Sequence, residues 1–246
     1  MSALAGIVRA YLRRLRRYAY AARSWVPGLR ERHRLEAMVG PLGYWNALRA
    51  YQLNLLRANG LHPHHHLLDL GCGPLQGGGA FIRYLEQARY VGVDISPERL
   101  SAAYGQVAEL GLAEKNPMLL LSDQFGALHL DGRSFDFVWA SQVLYYFDDE
   151  KLKDLMRMLV GHLAPDGKFL GDIIGPRHPE YGRAQQSAFL SRIKLQTVEG
   201  IDALAAPFGL QARGLGEIEA FGYPKRLLLR TNVLVEITRR HALQFG

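Results

Sequence analysis

Residues 66–85 read HLLDLGCGPLQGGGAFIRYL: an apolar run, then glycines at 71, 73, 77, 78 and 79 with Pro74 among them, then apolar residues at helical spacing. Such a stretch predicts a buried strand over 66–70, a turn of bare main chain, and a helix over 80–87 with Phe81, Ile82 and Leu85 on one side. Gly71 and Gly73 carry no β-carbon, so a ligand can approach the backbone there. Gly77 to Gly79 permit close packing as the helix begins.

Outward from this turn the chain alternates strand and helix, which predicts an α/β fold with a mostly parallel sheet covered on both faces. Strands are expected at Tyr90–Asp94, Met118–Leu121, Phe135–Ala140 and Lys168–Ile174. Ser96-Pro97 caps and starts a helix that stops at Gly111, and Asp149–Leu163 carries a helical stripe of Leu152, Leu155, Met156, Leu159 and Leu163. Pro165-Asp166-Gly167 reads as the turn into the fifth strand. After a helical stretch near 197–206, extended runs at 210–221 and 226–237 are joined by Gly222-Tyr223-Pro224-Lys225, and strands so closely joined must be antiparallel neighbours.

Ligands of such sheets bind beyond the carboxyl ends of the strands. There Asp94 follows the glycine turn by about 20 residues, where its two oxygens can accept both hydroxyls of a ribose. A dinucleotide fingerprint would need a third glycine where Gln76 stands, and Pro74 removes one N–H that could face a pyrophosphate. The pattern therefore describes a nucleoside-containing ligand without phosphate, for which S-adenosylmethionine (SAM) is a fitting example.

The ordered segments LLDLGCG, YVGVDIS, LLLSDQF, FDFVWASQVLYYF and HLAPDGKFLGDI resemble the motifs of class I SAM-dependent methyltransferases over residues 66–175. The resemblance implies a seven-stranded Rossmann-like sheet of order 3-2-1-4-5-7-6 with strand 7 antiparallel, and SAM as cofactor. It places Asp69 and Gly71 near the methionine part of the cofactor and Gly73 in the turn beneath it. Asp94 falls on the ribose, Ile95 against the adenine, and Asp123 with Gln124 beside the adenine amino group. Ser141 lines the end of the fourth strand, and Gln142 beside it and Cys72 within the loop complete the expected contacts. As a side chain, Cys72 reads as a small buried residue. Leu75 stands where the family's third loop glycine is usual. CGPLQGG also resembles a subset of bacterial enzymes acting on glycans or secondary metabolites.

The implied chemistry is in-line attack of an acceptor on a sulfonium methyl, in which positioning supplies much of the acceleration and a hydroxyl acceptor benefits from a base. Candidates at the strand ends are His178, Asp172, Tyr145 and Tyr146, the tyrosines also serving as pocket walls. Upstream, Tyr44-Trp45 and Arg49 begin a segment that closes over the cofactor in related enzymes, with Arg49 toward its carboxylate. The histidines of HPHHH at 62–66 project to opposite sides of an extended chain, so no metal site is expected.

At 246 residues and 48% apolar composition the chain fits one domain with an appendage. Residues 1–34 hold nine arginines against Glu31, a net +8, and the remainder sums to −1. Leu4, Val8, Tyr11, Leu15, Tyr18, Ala22 and Trp25 form one helical stripe in this arm, suited to an anionic membrane surface, a nucleic-acid backbone, or docking on its own domain or a second copy. Pro27 and Gly28 then predict a linker or turn over 26–34. The expected division is an arm at 1–34, a helical cap segment at 35–60 and a SAM-binding domain at 61–246. One cysteine, no secretory leader and no apolar span suit a cytoplasmic protein, peripheral to the membrane's inner face if the arm binds it.

The reading is thus a methyltransferase acting at oxygen of a small-molecule or glycan-like acceptor. Its alternatives are an RNA-binding or RNA-modifying protein using the arginine arm, and an NAD(P)-dependent oxidoreductase.

Overall fold

The computed structural model describes residues 27–125, 128, 130, 132–178 and 193–240. The chain divides between Trp45 and Asn46 into two compact units. The arm stripe from Leu4 to Trp25 lies outside the described residues.

In the first unit, α1 spans Pro27–Val39. This corrects the expectation of a linker over 26–34: proline's fixed φ and missing N–H suit a first helical turn, so Pro27 opens the helix instead of breaking it. Gly40 ends it at φ +52, a conformation glycine adopts without a β-carbon clash. Its N–H donates to the Glu36 carbonyl at 2.6 Å. The buried Glu36 carboxylate accepts the N–H groups of Gly43 at 2.7 Å and Trp45 at 3.4 Å, which fastens the turn that follows the helix.

The remaining elements are α2 (Trp45–Ala58), β1 (Leu67–Leu70), α3 (Gly78–Tyr84), β2 (Tyr90–Asp94), α4 (Pro97–Glu109), β3 (Met118–Leu121), β4 (Phe135–Ala140), α5 (Asp149–His162), β5 (Leu163–Ile173), α6 (Val198–Ala205), β6 (Leu210–Glu217) and β7 (Val233–Arg239). The seven strands form one sheet of order β3-β2-β1-β4-β5-β7-β6. Strands β1 to β5 pair in parallel and β7 runs antiparallel to both neighbours. This is the expected Rossmann-like methyltransferase sheet. Its central strands are near-continuous apolar runs because both faces are covered.

Two connections differ from expectation. Pro165-Asp166-Gly167 does not precede β5 but bulges within it: Phe135 pairs with Leu163 and Phe137 with Lys168, with a register shift between them. A β-carbon on Gly167 would lie 2.7 Å from the Phe135 carbonyl oxygen, so the bulge presses main chain on main chain. The β6–β7 connection is longer than four residues. Ile218–Phe221 and Leu228–Thr231 each wind into a 3₁₀ turn, and Tyr223 between them is buried. Burying that aromatic ring outweighs extending the ladder.

On one face, Leu68, Leu70, Val91, Val138 and Val235 pack against Leu152, Leu155, Met156 and Leu159 of α5 and Ile201 and Ala205 of α6. The other face meets α2, where the buried Trp139 indole N–H donates to Gln52 at 3.0 Å. Asp148 caps α5 by accepting the Lys151 N–H at 2.9 Å. Asp148→Ala is expected to lower unfolding free energy by about 1 kcal/mol, read from the urea midpoint.

Candidate functional site

The glycine turn leaves β1 and immediately closes on itself. Gly71 and Cys72 donate their N–H groups to the Val93 carbonyl at 2.8 and 3.0 Å. Gly73 donates to Asp94 Oδ2 at 2.9 Å, Pro74 has no N–H, and Leu75 donates to the Cys72 carbonyl at 3.1 Å. Positions 71 to 75 therefore present no free amide to a phosphate. Gly71 and Gly73 take positive φ of +73 and +54, and a β-carbon on Gly71 would sit 2.6 Å from Val143 Cγ2. Leu75, in the usual glycine place, takes φ +61 and is fully buried. Left-handed backbone costs a leucine about 1–2 kcal/mol, and burying its side chain returns about 1.5–3 kcal/mol, so the bulkier residue is tolerated.

Behind the turn, Arg49 of α2 donates from Nε to the Gln76 carbonyl at 2.8 Å and from Nη2 to the Leu75 carbonyl at 3.2 Å. Gln52 supports Gln76 with a 3.4 Å side-chain contact. Space explains the glycines that follow: a β-carbon at Gly77 would fall 2.5 Å from Gln52 Oε1, and one at Gly78 would fall 2.5 Å from both Leu75 and the Tyr90 hydroxyl. Arg49, expected at a cofactor carboxylate, thus braces the turn's carbonyls. Tyr44 is half-buried in the other unit.

Two acids stand at the neighbouring strand ends. Asp94, 3% exposed, accepts Gly73 on one oxygen and the Ser96 N–H at 2.9 Å on the other, with Arg99 Nη1 at 3.9 Å. An ionised carboxylate has about four acceptor positions, so two stay available to hydroxyls. Asp69 is buried and accepts the Tyr90 hydroxyl at 2.7 Å. Burial pushes its carboxyl up to about 7, against the Tyr90 hydrogen bond and with help from the Asp94 charge. The Cys72 thiol is buried against Gly92, and burial raises it well above the usual range.

Ile95, beside Asp94, is 67% exposed, and Leu121, paired in register with Asp94, is 57% exposed. These two apolar side chains flank the carboxylate at the sheet's carboxyl edge. Leu121 was not singled out in the sequence, although it ends an apolar strand. Asp123 and Gln124 are exposed after β3, where the Ser122 hydroxyl organises the turn through the Gln124 N–H and carbonyl. Lys151 donates to the Asp123 carbonyl.

At the tip of β4, Ser141 and Gln142 are half-buried, and Gln142 takes φ +58, rare for a residue with a side chain. Tyr145 is buried and Tyr146 is 51% exposed, with ring centroids 4.7 Å apart. Lys194 donates its N–H to the Tyr145 carbonyl at 2.7 Å and Gln196 its side-chain amide to the Phe147 carbonyl at 3.1 Å, so residues 194–196 lie across this edge. Asp172, expected as a base, is buried with both oxygens engaged, one by the Gln142 N–H at 2.7 Å and one by Asn232 Nδ2 at 2.6 Å. His178 is buried in the turn after β5, its N–H donating to the Gly175 carbonyl at 3.0 Å. Tyr51, Tyr223 and Asn232 join this edge unannounced by sequence. Tyr51 and Tyr223 meet edge-on at 5.1 Å, and the Tyr223 hydroxyl accepts the Gln142 side-chain amide at 3.1 Å.

The histidines at 62, 64 and 65 pack ring against ring at centroid distances of 4.5–5.6 Å, and His65 stacks on Phe137. Among the described residues no three His, Cys, Asp or Glu side chains are grouped to hold a metal. A cleft of about 270 Å³ bounded by Ala88, Tyr90, Tyr104, Asn116 and Arg133 opens at the amino ends of β2 and β3. No described helix is long and apolar enough to cross a membrane.

A carboxyl raised to about 7 in the native state, against 3.8 ordinarily, binds protons that the unfolded chain releases between those values. Native stability is then present at the acidic end and falls as pH rises through that window. Asp69→Asn is expected to flatten this slope, read from urea midpoints between about pH 4.5 and 7.5.

Residues 68–169 match a protein family described as a methyltransferase domain. A probable methyltransferase, ltbC, from Aspergillus luteorubrus is 29% identical over 98 residues, 38% of this chain and 34% of the relative. The match thus spans about a third of that relative's length. The fold is shared with a SAM-dependent methyltransferase from Clostridium acetobutylicum (TM-score 0.60, 16% identity, 80% of this chain and 92% of that one). It is shared equally with a magnesium protoporphyrin IX methyltransferase from Synechocystis, solved with bound SAH (TM-score 0.60, 17% identity, 87% and 95%). Residues 68–169 are thus similar to a methyltransferase domain, and the chain folds as the Rossmann-like sheet seen in SAM-dependent methyltransferases of known structure.

Proposed function

We propose that the protein transfers a methyl group from SAM to oxygen of a small-molecule or glycan-like acceptor at the carboxyl edge of the sheet. The observation that carries this reading is the self-closed turn at 71–75, with Asp94 beneath it and Ile95 exposed beside it. No amide there suits a pyrophosphate, which disfavours a nicotinamide dinucleotide. A carboxylate with acceptor positions to spare suits ribose hydroxyls, and an exposed apolar side chain suits a purine face.

Bound SAM would supply a methyl group on a positively charged sulfur. Asp94 would hold the ribose, Ile95 and Leu121 the adenine, and Asp69 the amino group. The arrangement of Asp69 is economical: alone it favours the protonated form, and an arriving ammonium restores its charge. Tyr146 and Leu195, the latter 38% exposed, offer apolar surface at the acceptor side, which suits the C–H faces of a sugar or an aromatic ring. Asp172 is tied up by two donors, and burial raises the Tyr145 phenol well above its usual range, keeping it protonated as a wall. His178, buried after β5, is the base that this reading retains.

SAM and its demethylated product are expected to raise the melting temperature, while nicotinamide dinucleotides leave it unchanged. Asp94→Ala should weaken SAM binding at least about tenfold in a protein whose circular dichroism is unaltered. An unchanged dissociation constant overturns the ribose assignment. Near pH 7, where the Asp69 carboxyl is about half protonated, SAM binding should release up to about half a proton from the wild type and none from Asp69→Asn, measured by calorimetry in buffers of differing ionisation enthalpy.

A further inference from the structure

The carboxyl end of β5 is joined to the start of β7 by a buried polar chain. Asn232 is fully buried, and its main chain is held on both sides: its N–H donates to the Leu229 carbonyl at 2.9 Å, and its carbonyl accepts the Ile218 N–H at 2.8 Å. Its side-chain amide is aimed at Asp172 Oδ2 at 2.6 Å, and its Oδ1 is buried without a hydrogen-bond partner. Asp172 passes the link on through Oδ1 to the Gln142 N–H at 2.7 Å. Gln142 is the left-handed residue at the tip of β4, and its neighbour Val143 presses its methyl group into the space a β-carbon on Gly71 would need.

The groups facing Asp172 from the surrounding elements are Tyr51 of α2, Tyr145 after β4 and Tyr223 of the β6–β7 connection. The phenols of all three are raised by burial and further by the Asp172 charge. Burial also raises Asp172 itself, against the donations from Asn232 and Gln142. With phenols around it, the carboxylate is held by these donors. Burying a carboxylate and leaving an amide oxygen unpaired is costly where an apolar pair would fill the volume. Left-handed backbone on a residue with a side chain persists only where its surroundings impose it. Both costs meet at the turn that faces Gly71.

We propose that Asn232, just before a strand remote in sequence, is a positioning residue of the methyl-transfer site: through Asp172 it holds Gln142 in its left-handed conformation and thereby sets the wall over Gly71. This role rests on the reading of that edge as the SAM pocket. Asn232 acts through Asp172 and Gln142 and need not touch cofactor or acceptor.

The test measures S-adenosylhomocysteine affinity of the full chain by calorimetry between about pH 5 and 8.5, each variant expressed as a ratio to wild type at the same pH, which cancels the titration of Asp69. Asn232→Leu should weaken binding about tenfold at every pH, because Asp172 Oδ2 loses its donor. In Asn232→Asp the two carboxyls share one proton at acidic pH, so an O–H replaces the amide N–H and the ratio stays near one. As the pair loses that proton the ratio should rise to about tenfold. Gln142→Gly placed on Asn232→Leu should recover most of the affinity, since glycine takes positive φ unaided. A merely structural role would show neither the pH-dependent ratio nor the rescue. Should Asn232→Leu fail to fold, as judged by its melting transition, Asn232→Asp with and without Gln142→Gly at pH 8 decides the matter by the same ratio. A flat ratio for Asn232→Asp, or absence of rescue, overturns the role while the SAM reading stands. A wild type that does not bind S-adenosylhomocysteine overturns the SAM reading and this role with it.

Discussion

One carboxylate fastens the exits of two adjacent strands. Asp94 accepts the N–H of Gly73 from the turn after β1 and the N–H of Ser96 from the turn after β2, at 2.9 Å each. The same residue therefore shapes the glycine turn, starts α4 through the Ser96 cap, and stands ready for a pair of hydroxyls. With the amides of 71, 72, 73 and 75 consumed and Pro74 lacking one, this part of the turn offers no main-chain donor, which favours the proposed sugar and ammonium over phosphates.

Three buried acids, Asp69, Asp94 and Asp172, lie along the carboxyl edge, and each meets the cost of burial differently. Asp94 is met by two main-chain N–H groups. Asp172 is met by one main-chain and one side-chain N–H. Asp69 is met by a single phenol, and its carboxyl is accordingly pushed up to about 7. The least satisfied of the three is the one assigned to the ammonium of the proposed cofactor. An acid left under-solvated gains most from an arriving cation, which concentrates binding energy where the ligand is charged. Asp172 is held by amides and acts on conformation, and Asp94 does the same while keeping acceptor positions for the proposed ribose.

Much of this edge was legible from residue types. Tyr90–Asp94, Met118–Leu121 and Phe135–Ala140 are strands over those very residues, because apolar β-formers there are bounded by turn and capping chemistry that acts within a few positions. The Ser96-Pro97 helix start is equally local. Pro27 misled because proline both breaks helices and opens them, and only the following turn of chain distinguishes the two. Tyr223 misled for a related reason: Gly-Tyr-Pro-Lys has the composition of a tight hairpin, yet the ring is buried at the edge of the site and the flanking residues wind into 3₁₀ turns around it.

The strand-turn-helix at 66–85 and the alternation that orders the sheet are written in short-range chemistry, and so the fold class can be read without coordinates. Which side chains satisfy one another across the sheet cannot. Gln52 reaches Trp139 across 87 positions and Asn232 reaches Asp172 across 60, and neither pair leaves a periodic or compositional trace. Those partnerships exist only after the strands are in register, because a hydrogen bond selects by distance and direction. That is why Arg49 emerged as a brace for the turn and Asp172 as the anchor of a strained residue.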